Sequence, residues 1–200
     1  VQDFGVQWGD VTLDIRATRH DGSHLIEAEL AVEQRLPDGI GMVRSMSARL
    51  SGSDPTRVAV QAMQQIGAIS GFERIMLCDR TGGLIAVNKD SAAQYPGGMV
   101  DIARLIADCE AEPVPVVGDE ENALLNRAAH LAPDSGHCDR LNEAGIAATM
   151  SFPLKIDGEL VGSLHAQHSS PRRCGAGRRS VVHLFAERLV ARMARQGWQA

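Results

Sequence analysis

Residues 147–156 and 159–168 are two predominantly apolar runs that meet at Asp157-Gly158. Both residue types tolerate positive φ, which a two-residue hairpin turn demands. The chain must therefore fold back on itself here as an antiparallel pair. Such a hairpin is marginal alone, so it needs further strands beside it and helices over it. The spacing predicts two more hairpins. Residues 74–78 (RIMLC) and 84–88 flank a turn at 79–83. Nearer the start, VTLDIRAT puts Val11, Leu13, Ile15 and Ala17 on one face. Asp21-Gly22 is a turn, and Leu25, Ile26, Ala28, Leu30 and Val32 carry the return strand through residue 33.

Helices are predicted between these hairpins. Asp54-Pro55 is an N-cap followed by proline at the first helical position. Val58, Ala62, Ile66 and Ile69 then line one face until Gly71 stops the helix. Residues 178–195 form a long amphipathic helix, with Val182, Phe185, Leu189 and Met193 on its stripe. Val181, Leu184 and Val190 make that stripe wider than one core face requires. Residues 43–50 and 137–144 read as short helices, the second stopped by Gly145, and 120–130 as helical by composition. Loops are predicted at 36–41, 89–98, 131–136 and 169–177. Residues 100–106 are short and apolar, and Pro113 and Pro115 mark an extended segment. The economical fold is α/β of the α+β kind, an antiparallel sheet with helices packed on its faces.

A chain of 200 residues with 44% hydrophobic content buries one core and a small satellite. Its net charge of −5 and scattered arginines present no patch for nucleic acid. No run approaches the roughly 20 apolar residues that cross a bilayer, and no signal peptide is visible. Cys78, Cys109, Cys138 and Cys174 lack metal-knuckle spacing and read as free thiols of a reducing cytoplasm. His165 and His168 lie three apart on a strand, hence on opposite faces, which argues against a shared metal.

The wording of several segments is informative. Residues 137–172 read HCDRLNEAGIAATMSFPLKIDGELVGSLHAQHSSPR. Upstream lie Gly71-Phe72-Glu73-Arg74-Ile75-Met76, Arg104-Leu105-Ile106-Ala107-Asp108 and Glu112-Pro113-Val114-Pro115. In this order and spacing they resemble the bilin-binding GAF domain of phytochromes, the red-light photoreceptors. The first hairpin, with Arg19-His20-Asp21-Gly22, resembles the end of the PAS domain that precedes GAF in that family. The resemblance implies a GAF/PAS-type sheet, with residues 1–50 a truncated PAS-like hairpin segment and 51–200 the GAF domain.

A bilin is a long tetrapyrrole with two propionates, and a pocket for it needs cations, imidazoles or hydroxyls, and apolar walls. By the resemblance, Arg104 would pair with a propionate, as a fork-shaped guanidinium suits a carboxylate. His137 would lie over the pyrroles, His168 would bond the last ring's carbonyl, and Thr149 and Ser151 would stand near a propionate. Plainer readings stand beside these. Arg104 could be a surface residue at a strand end, His137 a helix-start residue bonding backbone, and His168 a loop-edge histidine.

The chain also departs from the family. Bacterial members attach the pigment through a cysteine before the PAS domain, and nothing precedes Val1 here. Plant-type members use a cysteine where this chain has Gly136, and Cys138 falls on the other side of His137. After Tyr95-Pro96 the family's Asp-Ile-Pro segment is absent, leaving Asp101-Ile102-Ala103 as an echo. Cys78 and Arg140 replace two pocket tyrosines.

These residues lead to a degenerate phytochrome-like sensory or regulatory domain in signal transduction, with impaired or lost covalent bilin attachment. The alternative is a red/far-red photoreceptor domain that binds biliverdin noncovalently or through a cysteine outside this chain. No nucleophile–base pair or phosphate loop suggests an enzyme, and adjacent residues such as His137 and Cys138 rarely act together. The expected partner is a second copy, joined through the C-terminal helix, with 55–69 as a candidate addition. A histidine kinase would lie downstream.

Overall fold

The computed structural model describes residues 2–20, 22–32, 38–89, 104–111, 116–118, 123–130 and 135–198. The sequence expectations for 91–103, for Pro113 and Pro115 and for the Asp-Ile-Pro region lie outside the described residues.

Two antiparallel sheets form. The larger takes its strands from β4 (Arg74–Asp79), β5 (Leu84–Val87), β6 (Arg104–Ile106), β7 (Ala148–Ile156) and β8 (Glu159–His168), in the order β5-β4-β8-β7-β6. Asp157 and Gly158 turn β7 into β8 with φ of 51° and 87°, the two positive angles their identities foretold. Strand β8 lies central because β4 and β7 both pair along it. Its Gly162 lets β4 approach closely, since a Cβ there would collide with the Cys78 carbonyl oxygen.

One face of this sheet is apolar. Ile75, Leu77, Met150, Phe152, Leu154, Leu164 and Ala166 pack against α2 (Pro55–Ser70) and α4 (Ala176–Arg195). Helix α2 begins as expected, with the Asp54 carboxylate accepting from the Thr56 N–H at 3.0 Å. It ends on Gly71, which adopts the left-handed φ of 75°. Helix α1 (Gly39–Arg49) starts within the predicted 36–41 loop because Asp38 caps it, accepting from Gly41 at 2.7 Å. Val43 and Met46 of α1 join the same core.

This arrangement explains the wide stripe on α4. Val181, Val182, Phe185, Leu189, Val190 and Met193 are all buried within the chain, between α1, α2 and β7. The stripe is wide because α4 touches three neighbours, so its width is no independent sign of a second copy. Leu184 alone among its large apolar residues stays exposed. Helix α3 (Ser135–Glu143) ends before Gly145 at φ 69°, and the described part of the predicted 120–130 helix holds a short 3-10 turn, Ala123–Arg127. No helix among the described residues is long and apolar enough to cross a membrane.

The smaller sheet has the order β1-β2-β3, from β1 (Gln2–Trp8), β2 (Val11–His20) and β3 (Ser23–Leu30). The expected hairpin is β2–β3, and β1 extends it. It leans on the rest of the chain with its polar face. Ile26 is 67% exposed and Leu30 52%, on the same side as Trp8 and Val11, while Glu27 is buried.

Gly162→Ala is expected to force β4 and β8 apart at a cost of about 1–3 kcal/mol. Urea unfolding followed by circular dichroism measures this, and an unchanged midpoint would show that the strands spread freely.

Candidate functional site

The face of the larger sheet turned away from α2 and α4 is polar yet buried. Cross-strand partners share a face, so the pairs Arg104↔Ser151, Ser151↔His165, Thr149↔Gln167, Met76↔His165 and Cys78↔Ser163 place all these residues together. Thr149, Ser151, Ser163, His165 and Gln167 are each at most 2% exposed. A buried polar group must be bonded or it costs stability, so each bond on this face matters.

Most are met within the sheet. Thr149 Oγ1 donates to the Ala166 carbonyl at 3.0 Å. The Ser163 hydroxyl lies 2.8 Å from His165 Nε2. Burial pushes the His165 pKa down to about 4, so this imidazole is neutral at physiological pH. Gln167 Oε1 accepts from Arg74 Nη1 at 2.8 Å. Ser151 Oγ and Gln167 Nε2 are buried and have no hydrogen-bond partner among the described residues. Cys78 shares the face, and burial, aided by Asp79, pushes its thiol up to about 11.

The sequence-predicted site residues divide. Arg104, Thr149 and Ser151 are brought together on this face, with Arg104 Nη1 donating to the Ala128 carbonyl at 3.1 Å. His137 lies half-buried in the first turn of α3. His168 stands apart from Arg104, Thr149 and Ser151. It pairs with Ala148, on the opposite face from Ser151, and is held elsewhere. Its Nδ1 accepts from the Ser170 N–H at 3.0 Å, Arg172 Nη2 lies 3.0 Å from Nε2, and its ring meets Phe72 edge-on.

The cause is a β-bulge. Near the turn Ile156 pairs with Glu159 and Lys155 with Leu160, but Leu154 pairs with Gly162. Val161 is the extra residue. A straight hairpin from Asp157-Gly158 would put Thr149 and Ser151 on the side of His168. The bulge slips the register by one and exchanges faces, so His165 and Gln167 occupy the polar side. Sequence reading missed these two as site residues; period-two alternation from a correctly bulged register would have found them.

A second polar cluster joins the two sheets. Glu27 Oε1 accepts from the N–H groups of Ala129 and His130 at 2.7 and 3.2 Å, and lies 3.2 Å from His130 Nδ1. Glu29 pairs with Arg179 and with His130 Nε2, and Arg16 lies 3.7 Å from Glu27. Burial opposes every charge here. The mutual hydrogen bonds outweigh it, raising the His130 pKa to about 9, lowering Glu29 to about 2 and holding Glu27 below the usual range. A cavity of about 430 Å³ remains between the sheets beside this network.

A family model described as the GAF domain matches residues 54–200. No curated protein matches the chain by sequence. Solved structures do. The wild-type chromophore-binding domain of Stigmatella aurantiaca phytochrome P1 is 21% identical with a TM-score of 0.74, over 90% of this chain and 69% of that one. The chromophore-binding domain of an unusual bacteriophytochrome from R. palustris is 19% identical with a TM-score of 0.71, over 93% of this chain and 70% of that one. The Stigmatella photosensory core module aligns over 96% of this chain but 44% of its own, at 22% identity and a TM-score of 0.74. At such identities the likeness establishes the fold.

The charged cluster predicts a pH profile. His130, raised from 6.5, contributes stability that is complete below pH 6.5 and lost as pH rises through 9. Glu29, lowered from 4.5, contributes above pH 4.5 and loses it as pH falls towards 2. Thermal stability should therefore plateau between pH 4.5 and 6.5. The alkaline decline should be on the order of 2 kcal/mol, allowing for the partial exposure of His130. His130→Gln should flatten the alkaline limb in melting curves; a limb that persists in the variant would assign it to another group.

Proposed function

Because this chain belongs to the GAF domain family, whose model spans residues 54–200, we propose that it is a phytochrome-like sensory or regulatory domain of signal transduction that does not attach a bilin covalently. The observation that carries this reading is the chemistry of the polar sheet face. Its cysteine, Cys78, has a thiol kept protonated at neutral pH by burial, and a protonated thiol is a poor nucleophile. His168, the histidine expected to meet the last ring, is engaged with Ser170 and Arg172 on the other face. Gly136 in place of the plant-type cysteine, and Cys78 and Arg140 in place of two pocket tyrosines, agree with this.

One observation favours the alternative, a red/far-red photoreceptor domain with biliverdin held noncovalently or through a cysteine outside this chain. Ser151 Oγ and Gln167 Nε2 are buried donors without partners among the described residues, and burying such groups is costly unless something completes them. These residues fit the polar groups of a bilin, though not its covalent attachment. Arg104 would meet a propionate, Ser151 and Gln167 would donate to its oxygens, and His137 would stand at the rim. The pigment would supply absorption of red light; the chain would supply a dry, fixed set of donors.

A homodimer and a downstream histidine kinase belong to the same proposal. Since the α4 stripe is used within the chain, a second copy would use what α1 and α4 leave exposed, Ile40 and Leu184.

Mixing the purified chain with excess biliverdin, followed by gel filtration and absorption spectroscopy, tests the reading. The expected outcome is the spectrum of free biliverdin and no co-elution. A sharpened far-red band that co-elutes, and weakens in Ser151→Ala, would replace it with the alternative. For the dimer, Leu184→Glu should halve the mass found by light scattering without unfolding the chain. An unchanged mass would remove α4 from the interface.

A further inference from the structure

Strand β6 ends at Ile106, and the chain turns at Asp108, whose carboxylate accepts from the Glu110 N–H at 3.0 Å. Between them in space, the Cys109 N–H donates to the Ala147 carbonyl at 2.8 Å and its thiol reaches the Ile146 carbonyl at 3.5 Å. Cys109 is thereby fixed where the chain leaves α3 for β7. It packs there against the small apolar cluster of Ile106, Leu141 and Ile146. Cys138 lies in α3, three residues before the fully buried Leu141, and so on the same inward helix face. The two thiols thus stand on the same side of Leu141 and act on each other electrostatically.

Both cysteines are half-buried, and both line one cavity of about 310 Å³. Arg172, Arg173 and Arg179 line it too, beside the carboxylates of Glu29 and Asp108. Cys174 lines the cavity as well, but it is buried, as is Cys78, and neither packs at the contact between α3 and the β6 end. Of the three thiols at the cavity, Cys109 and Cys138 are the half-buried pair, set on the same side of Leu141.

We propose that Cys109 and Cys138 are a redox modification site, closing reversibly into a disulfide that ties α3 to the end of β6. The oxidant is a small anionic disulfide of the glutathione class, whose carboxylates suit the arginines of the cavity. Cys138 loses its proton to solvent, and its thiolate attacks one sulfur of the small disulfide. That S–S bond breaks, one small thiolate leaves, and a mixed disulfide forms at Cys138. Cys109 then gives up its proton, attacks the Cys138 sulfur and expels the second small thiolate. Two protein thiols are oxidised and one small disulfide is reduced to two thiols. Cys109 acts second because burial, and then the neighbouring Cys138, hold its thiol protonated, with a pKa pushed up to about 12. Bonding its partner into a mixed disulfide removes that second opposition.

The consequence falls on α3. This helix has nine residues and carries His137 directly beside Cys138. Crosslinking 109 to 138 pins the helix to the sheet edge that bears Arg104.

Incubating the folded chain with oxidised glutathione, then counting thiols and mapping tryptic peptides by mass spectrometry, tests the site. Two of the four thiols should disappear with no glutathione retained. Peptides 105–127 and 128–140 should be joined at a mass two hydrogens below their sum, and dithiothreitol should release them. Cys109→Ser should instead leave one glutathione on Cys138, and Cys138→Ser should leave Cys109 unmodified. Cys109→Ala serves equally if the serine variant folds poorly. Hydrogen exchange across 135–143 should slow on oxidation of the wild type. Retained glutathione in the wild type, a bond to Cys78 or Cys174, or four surviving thiols would each overturn the proposal.

Discussion

Everything in the larger sheet depends on the β7–β8 hairpin, because it is covered on both sides. Its apolar face is closed by α2 and α4. Its other face buries Thr149, Ser151, His165 and Gln167. A sheet with one wet face can leave polar side chains to water, but this one cannot. Each of those groups must find a partner within the sheet or in something placed upon it. Thr149 and His165 find theirs along the strands. Ser151 and half of Gln167 do not, among the described residues. The register of one hairpin therefore decides which residues carry an unmet donor, and so where a ligand would be worth having.

That register marks the limit of what can be read from the chain alone. Features fixed by neighbouring residues were legible. Asp157-Gly158 made its turn, Asp54-Pro55 opened α2, and Gly71 and Gly145 closed their helices on positive φ. Features fixed by tertiary packing were not. Strand β1 escaped notice because its pairing with β2 is irregular between Asp3 and Val6, at Gly5 with φ 68°, so period-two alternation is broken there. The bulge at Val161 carries no turn residue to announce it, and it reverses the face of everything beyond it. The family resemblance groups His168 with Arg104, Thr149 and Ser151, whereas the bulge sets His168 on the other face and brings Gln167 to theirs. The stripe of α4 was seen, but its breadth has an intramolecular cause visible only once α1 and α2 are in place.

The small sheet inverts a common expectation. Along β2 and β3 its alternation is clean, yet the buried contact is made by Glu27 and Glu29, with Ile26 and Leu30 turned outward. An apolar docking face would be indifferent to pH. A contact built from two carboxylates, His130 and Arg179 is not, because the histidine contributes only while protonated and the carboxylates only while ionised. The tie between the two sheets is thus a charged one, in which burial works against each member and their mutual bonds work for it.

Arg104, the cation paired across the strands with Ser151, sits on β6, a strand of three residues joined to the sheet through β7 among the described residues. Its guanidinium is steadied by Ala128, and Ala129 accepts from the next residue, Leu105, at 2.9 Å. Ala129 is in turn gripped by Glu27 of the small sheet. The edge that presents Arg104 is therefore held from two directions, by the charged tie on one side and by the Cys109 turn against α3 on the other. A short edge strand has few ladder bonds of its own, so its position answers to whichever of these holds it harder. Protonation of His130 acts on the first and oxidation of the thiol pair on the second. Both reach Arg104 through backbone hydrogen bonds or packing already in place, without any rearrangement of the central hairpin.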